Sequence, residues 1–171
     1  MEFWDIYDEN KKPTGRTMKR NDWCLKDGEY HLTVLGVVGR PDGTFLITKR
    51  VMTKAWAPGW WEVSGGAAQA GEESCEAVLR EVKEETGLKL LSYKLRGLIT
   101  FVSNQCEPEM MCLFTADKFK GQITSCDEGD LMWVPKKDVL QLPTWEGDAV
   151  FLKLLLDNEE KFFTLKSPNW R

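Results

Sequence analysis

The chain has 171 residues and a net charge of −4, enough length for one sizeable core and too little positive charge for a surface that coats a nucleic-acid polymer. No apolar run reaches the length of a membrane span, and the N-terminus lacks the basic-then-apolar pattern of a signal segment. Five cysteines (Cys24, Cys75, Cys106, Cys112, Cys126) form an odd set without CxxC spacing, which reads as reduced structural thiols of a cytoplasmic protein.

Residues 1–30 are polar and turn-rich. Trp4, Ile6 and Tyr7 precede the cluster Asp8 to Pro13, and Gly15 follows, which predicts a small hairpin beside the main fold. Trp23 and Tyr30 either pack there or line a pocket. Tyr30 to Val38 is β-branched and apolar enough for a buried strand, Arg40 to Gly43 is a turn, and Thr44 to Lys49 returns as a second strand. Lys49 and Arg50 end that strand, either as solvated charge or as candidates to meet a phosphate, since a guanidinium matches phosphate oxygens two at a time. Pro58-Gly59 predicts a turn and Trp60 to Val63 a short strand. Trp60 is a candidate to stack on a substrate or cover its pocket.

Beyond residue 88, Leu90 to Val102 and Pro108 to Phe119 read as two strands joined at Ser103-Asn104-Gln105. Met110, Cys112 and Phe114 alternate with Met111, Leu113 and Thr115, which predicts a strand covered on both faces. A loop from Gly121 to Asp130 leads to a short strand at Leu131 to Val134, a helix from Pro135 to about Leu142, and a final helix from about Ala149 to Asn158. The tail from Phe162 to Trp170 is expected to lie against the body. No repeat or linker interrupts the chain, so residues 1–171 are read as one domain of an α/β layered fold.

The stretch from Gly66 to Leu88 carries the chemistry. Gly65-Gly66 reads as a backbone punctuator at a turn. Ser74 is the expected N-cap, and Cys75, Val78, Leu79 and Val82 fall at i, i+3, i+4 and i+7 as an apolar stripe. Glu81, Glu84 and Glu85 fall at i, i+3 and i+4 on another face. Three carboxylates that close repel one another unless a cation sits among them, and hard oxygen ligands suit Mg²⁺ or Mn²⁺. Gly87 is placed to end the helix in the left-handed conformation. An isolated ExxEE would more often be a solvated helix face.

Gly66, Glu72, Arg80, Glu81, Glu84, Glu85 and Gly87 at their fixed spacing arise by chance in roughly one window in 10⁸, taking average composition. The pattern resembles the Nudix box, here residues 66–88, the metal-binding signature of MutT-like hydrolases that cut a nucleoside diphosphate linked to another moiety. The resemblance implies an α/β/α sandwich with a mixed sheet, to which residues 1–30 add an N-terminal β-hairpin. It implies a divalent cation held by Glu81, Glu84, Glu85 and a carbonyl at Gly65 or Gly66. It also implies a pairing of Arg80 with Glu72 that fastens the box loop to its helix. Relatives often recruit one more carboxylate from a loop beyond the box, and Glu128 is the first candidate here, Asp127 the second. That acid, Glu81 or Glu85 could serve as the base.

The implied substrate is a small-molecule diphosphate, with a nucleotide favoured because residues 127–135 and 142–148 resemble MutT-like members that cleave oxidised purine nucleotides. A monomer or homodimer is expected. The N-terminal segment and Tyr30-His31 also resemble isopentenyl-diphosphate isomerase. That enzyme depends on a cysteine just ahead of the box and on several histidines, whereas this chain has Trp60 to Ser64 there and His31 as its sole histidine. A catalytically silent Nudix-like binding module is the remaining alternative, and it would be expected to lack box acids that are all present here.

Overall fold

The computed structural model describes residues 1–124, 127, 129–157 and 161–168. Its strands are β1 (Phe3–Tyr7), β2 (Pro13–Lys19), β3 (Tyr30–Arg40), β4 (Thr44–Arg50), β5 (Trp61–Glu62), β6 (Ser64–Ala67), β7 (Lys89–Val102), β8 (Glu109–Lys120), β9 (Gly129–Pro135) and β10 (Phe163–Pro168). The helices are α1 (Ser74–Thr86), α2 (Lys136–Val139) and α3 (Glu146–Asp157).

The sheet is mixed. Its main path runs β10-β7-β8-β3-β1-β2, with β10 parallel to β7 and β3 parallel to β8. Along one side, β3 pairs in turn with β1, with β6 and with β4, and β4 carries β5 and β9. This is the expected α/β fold with the expected N-terminal hairpin, β1 against β2.

Alternation along β3 and β8 builds two cores. Val34, Val38, Cys112 and Phe114 join Ala77, Val78 and Val82 of α1 on one face. Val37, Leu113 and Ile99 join Phe151, Leu152 and Leu155 of α3 on the other. Burying each such aliphatic side chain is worth about 1.5–3 kcal/mol. At Gly36 a Cβ would lie 2.7 Å from Val82 Cγ2, so the glycine lets α1 close onto β3.

Several boundaries differ from the sequence expectation. The N-cap of α1 is Glu73 rather than Ser74, because Glu76 turns back to accept the Glu73 amide at 2.9 Å. Gly87 ends the helix as expected, at φ +81°. Gly65-Gly66 is strand rather than turn: both residues pair with β3, and a Cβ on Gly65 would lie 2.2 Å from the Val34 carbonyl oxygen. The glycines serve close approach, not reversal. The helix expected from Pro135 to Leu142 is a single turn, α2. The tail does more than lie against the body, since β10 extends the sheet beside β7.

Candidate active site

β6 delivers Gly65 and Gly66 to the edge of α1, where the acids of the box stand. Glu81 packs so closely on Gly66 that a Cβ there would lie 2.6 Å from the Glu81 carboxyl carbon. Glu85 accepts the Gly65 amide at 3.2 Å. The Arg80 guanidinium holds the centre: Nε donates to Glu72 at 2.8 Å, Nη2 to the other Glu72 oxygen at 2.9 Å and to the Ala67 carbonyl at 3.1 Å. Its Nη1 reaches Glu81 at 2.7 Å and Glu84 at 3.3 Å.

The electrostatics divide these acids. Hydrogen bonds from Arg80 hold the Glu72 carboxyl below the usual range. Glu81 also touches Arg80, yet loss of hydration outweighs that contact and raises it. The same network, hydrogen bonding to Glu72 first, keeps Arg80 charged above its ordinary range.

The donor set suits a hard divalent cation. Three carboxylates and the backbone of a glycine pair lie along one edge, and Gly66 leaves Glu81 a cradle that any side chain would fill. As these side chains stand, no three of the described His, Cys, Asp and Glu residues are gathered closely enough to hold a metal ion. Arg80 draws Glu81 and Glu84, and Glu85 turns to the Gly65 amide.

The three residues expected to meet substrate, Lys49, Arg50 and Trp60, lie beside residues 56–62 and Trp145. Arg50 is already engaged: its Nη1 donates to both Glu62 oxygens, at 3.1 and 3.2 Å, and its Nε and Nη2 donate to the Trp56 carbonyl at 3.3 and 3.2 Å. Lys49 Nζ stands 5.7 Å over the Trp61 ring. Trp60 tilts against Trp145 at 4.5 Å, and Trp56 stacks on the same Trp145 at 4.2 Å. Asp127 is exposed, and Glu128 lies outside the described residues.

Two acids went unnoticed in the sequence. Glu109 opens β8 and Asp148 sits in the first turn of α3, and burial raises both, to about 7 and about 8. The available signal was an ionisable residue set in an otherwise apolar periodic stretch.

The sequence profile of the NUDIX domain matches residues 29–155. The chain belongs to the Nudix family. Among curated relatives, the uncharacterized Nudix hydrolase YvcI of Bacillus subtilis is 33% identical over 106 residues, 59% of this chain and 67% of that one. The nucleoside triphosphatase NudI of Escherichia fergusonii is 30% identical, over 58% of this chain and 79% of its own length. An isopentenyl-diphosphate Delta-isomerase of Kocuria rhizophila is 24% identical over 85% of this Nudix chain and 88% of that enzyme. The chain spans about half the length of two other Nudix relatives, 53% in each case. The crystal structure of a MutT protein from Bacillus halodurans superposes with a TM-score of 0.68 at 26% identity, covering 82% of this chain and 92% of that one. Among the described residues, no helix is long and apolar enough to cross a membrane.

Proposed function

We propose that this Nudix protein hydrolyses a diphosphate linkage in a small nucleotide derivative, with Mg²⁺ or Mn²⁺ held by Glu81, Glu84, Glu85 and the backbone carbonyl of Gly66. The observation that carries this reading is the edge of α1, where Glu81 and Glu85 meet the Gly65-Gly66 strand and Glu81 and Glu84 share Arg80. Bound there, a divalent cation would neutralise phosphate charge and lower the pKa of a coordinated water.

The chain's own groups do the rest. Arg80 and Glu72 hold the box loop against its helix. Glu81, raised by burial, or Glu85, oriented by the Gly65 amide, takes the proton of the attacking water. Glu128, with Asp127 behind it, is the further carboxylate candidate. Lys49 and the Trp60 group frame the entrance, and Arg50 shapes it through Glu62 and the Trp56 carbonyl. The kinship with NudI and with MutT structures favours a nucleoside triphosphate or related nucleotide. Free thiols at Cys24, Cys75, Cys106 and Cys112 accord with a cytoplasmic setting.

A second reading is favoured by the similarity to the Kocuria isomerase along most of the chain. Against it, the stretch from Trp60 to Ser64, where the isomerase is expected to carry its cysteine, has none, and His31 is buried on Trp4. One panel separates the readings: nucleoside triphosphates, oxidised ones included, nucleotide sugars, ADP-ribose and isopentenyl diphosphate, each with Mg²⁺ and Mn²⁺, beside Glu85→Gln. Cation-dependent cleavage that the variant loses supports the hydrolase. Isomerised isopentenyl diphosphate, or no reaction at all, overturns it.

A further inference from the structure

A cavity of about 350 Å³ opens where β3 begins, under the β1–β2 turn. Its floor is one row across three strands, in which Met110 pairs with Thr100 and Thr100 with Lys166. Met110 is buried, and Tyr30 packs against the same core and forms a wall. The β1–β2 turn brings Glu9, Asn10 and Lys11 to the rim. That turn is held in one shape. The Asp8 carboxylate accepts the amides of Asn10 and Lys12, at 2.8 and 3.0 Å. Lys11 takes the left-handed backbone at φ +62°, which few side chains other than Asn and Asp adopt.

This cavity is separate from the box. Tyr30 precedes Val34, the β3 partner of Gly66, by four residues, about 13 Å of strand. Lys166 stands four inter-strand spacings from β6, about 19 Å. Lys11 and Lys166 reach the cavity from different elements, and neither forms an ion pair with a described carboxylate. Two ammonium groups facing one cavity repel each other unless an anion lies between them. A phosphate monoester carries about −1.5 to −2 near neutral pH and answers both, whereas a single carboxylate answers one. Glu9, the one carboxylate on the lining, accepts hydrogen bonds and repels a longer polyphosphate. Hydroxyl groups on the ligand satisfy it, with Asn10, Thr100 and Tyr30 as further polar partners. The volume falls in the range of small-molecule sites, about 300–1,000 Å³, and exceeds what a bare phosphate fills.

We propose that this cavity is a second ligand site, which binds the phosphate monoester of a small polyhydroxylated molecule, such as a sugar phosphate, between Lys11 and Lys166. The proposal stands apart from the hydrolase reading of the box.

Its test needs neither a metal nor turnover. Isothermal titration calorimetry on the full chain, without added divalent cation, compares ribose 5-phosphate with ribose and with inorganic phosphate. Ribose 5-phosphate is expected to bind at least tenfold tighter than either. Lys11→Asn, which suits the left-handed backbone, and Lys166→Gln are each expected to weaken it at least fivefold. Both lysines are exposed, and melting curves confirm that the variants fold. Lys49→Gln, on the strand beside Trp61, is expected to leave the affinity within twofold. No binding at millimolar concentration, or an affinity that survives both lysine substitutions, overturns the site. Inorganic phosphate binding as tightly as ribose 5-phosphate overturns the polyhydroxylated ligand. A loss in Lys49→Gln as large as in Lys11→Asn moves the anion beside Trp61 and overturns the second site.

Discussion

Arg80 reaches back to Glu72 with two parallel hydrogen bonds, Nε to Oε1 at 2.8 Å and Nη2 to Oε2 at 2.9 Å. Neither side chain is more than a quarter exposed. The pair closes the loop between β6 and α1, and the same guanidinium orients Glu81.

Arg80→Ala strands two partly buried carboxylates, so it is expected to cost about 2–3 kcal/mol of stability as well as turnover. Arg80→Lys keeps the charge without the fork and should recover only part of both. Urea unfolding beside steady-state kinetics checks this. A purely kinetic effect with an unchanged midpoint would refute the fastening role.

Gly66→Ala separates cradle from fold. The added Cβ would meet the Glu81 carboxyl at 2.6–2.7 Å, and a carboxyl at the end of a flexible side chain can swing away. Turnover is expected to fall at least tenfold and the metal requirement to rise, with a stability cost below about 1 kcal/mol. Activity against Mn²⁺ concentration, read beside thermal melts, decides it. Full activity would remove Glu81 from the site.

The buried titrating groups predict a pH dependence of stability in which the two acids outweigh one opposing histidine. Glu109 and Asp148 rise from ordinary values of 4.5 and 3.8 to about 7 and about 8, so the folded state holds their protons and loses that advantage as pH climbs through those values. His31 falls from 6.5 to about 4, so it contributes in the opposite sense, gaining stability as pH rises between these two values. Above pH 6.5 only the acids remain. Tm is therefore expected to drop between pH 6.5 and 8, and the drop to flatten when Glu109→Gln and Asp148→Asn are combined. A wild-type Tm that rises over that interval would contradict it.

Arg50 ties residues 51–60 to the body through Glu62 and the Trp56 carbonyl. Arg50→Ala is expected to cost about 1–3 kcal/mol and to make this loop the first site of limited proteolysis. A higher KM with unaltered stability and protease resistance would return Arg50 to direct phosphate binding.

The sequence alone determined the local chemistry of this Nudix protein. Periodicity placed α1 and its apolar stripe, Gly87 marked where the helix stops, alternation in β8 announced two covered faces, and fixed spacing named Arg80, Glu72 and the three glutamates. These are properties of neighbours along the chain, governed by helix pitch, pleat and turn chemistry. Tertiary structure alone decided the remainder. Gly65-Gly66 reads as a turn until Val34 and Glu81 approach it, because a glycine's reason for being there is a neighbour distant in sequence. Arg50 reads as solvated charge or a phosphate contact, and only the fold shows that it also ties Glu62 to the Trp56 carbonyl. The tail becomes β10 because β7 offers an open edge. Glu109 and Asp148 look like ordinary acids until the elements packed around each one desolvate it, since desolvation depends on everything packed around a charge and not on the residues beside it in the chain.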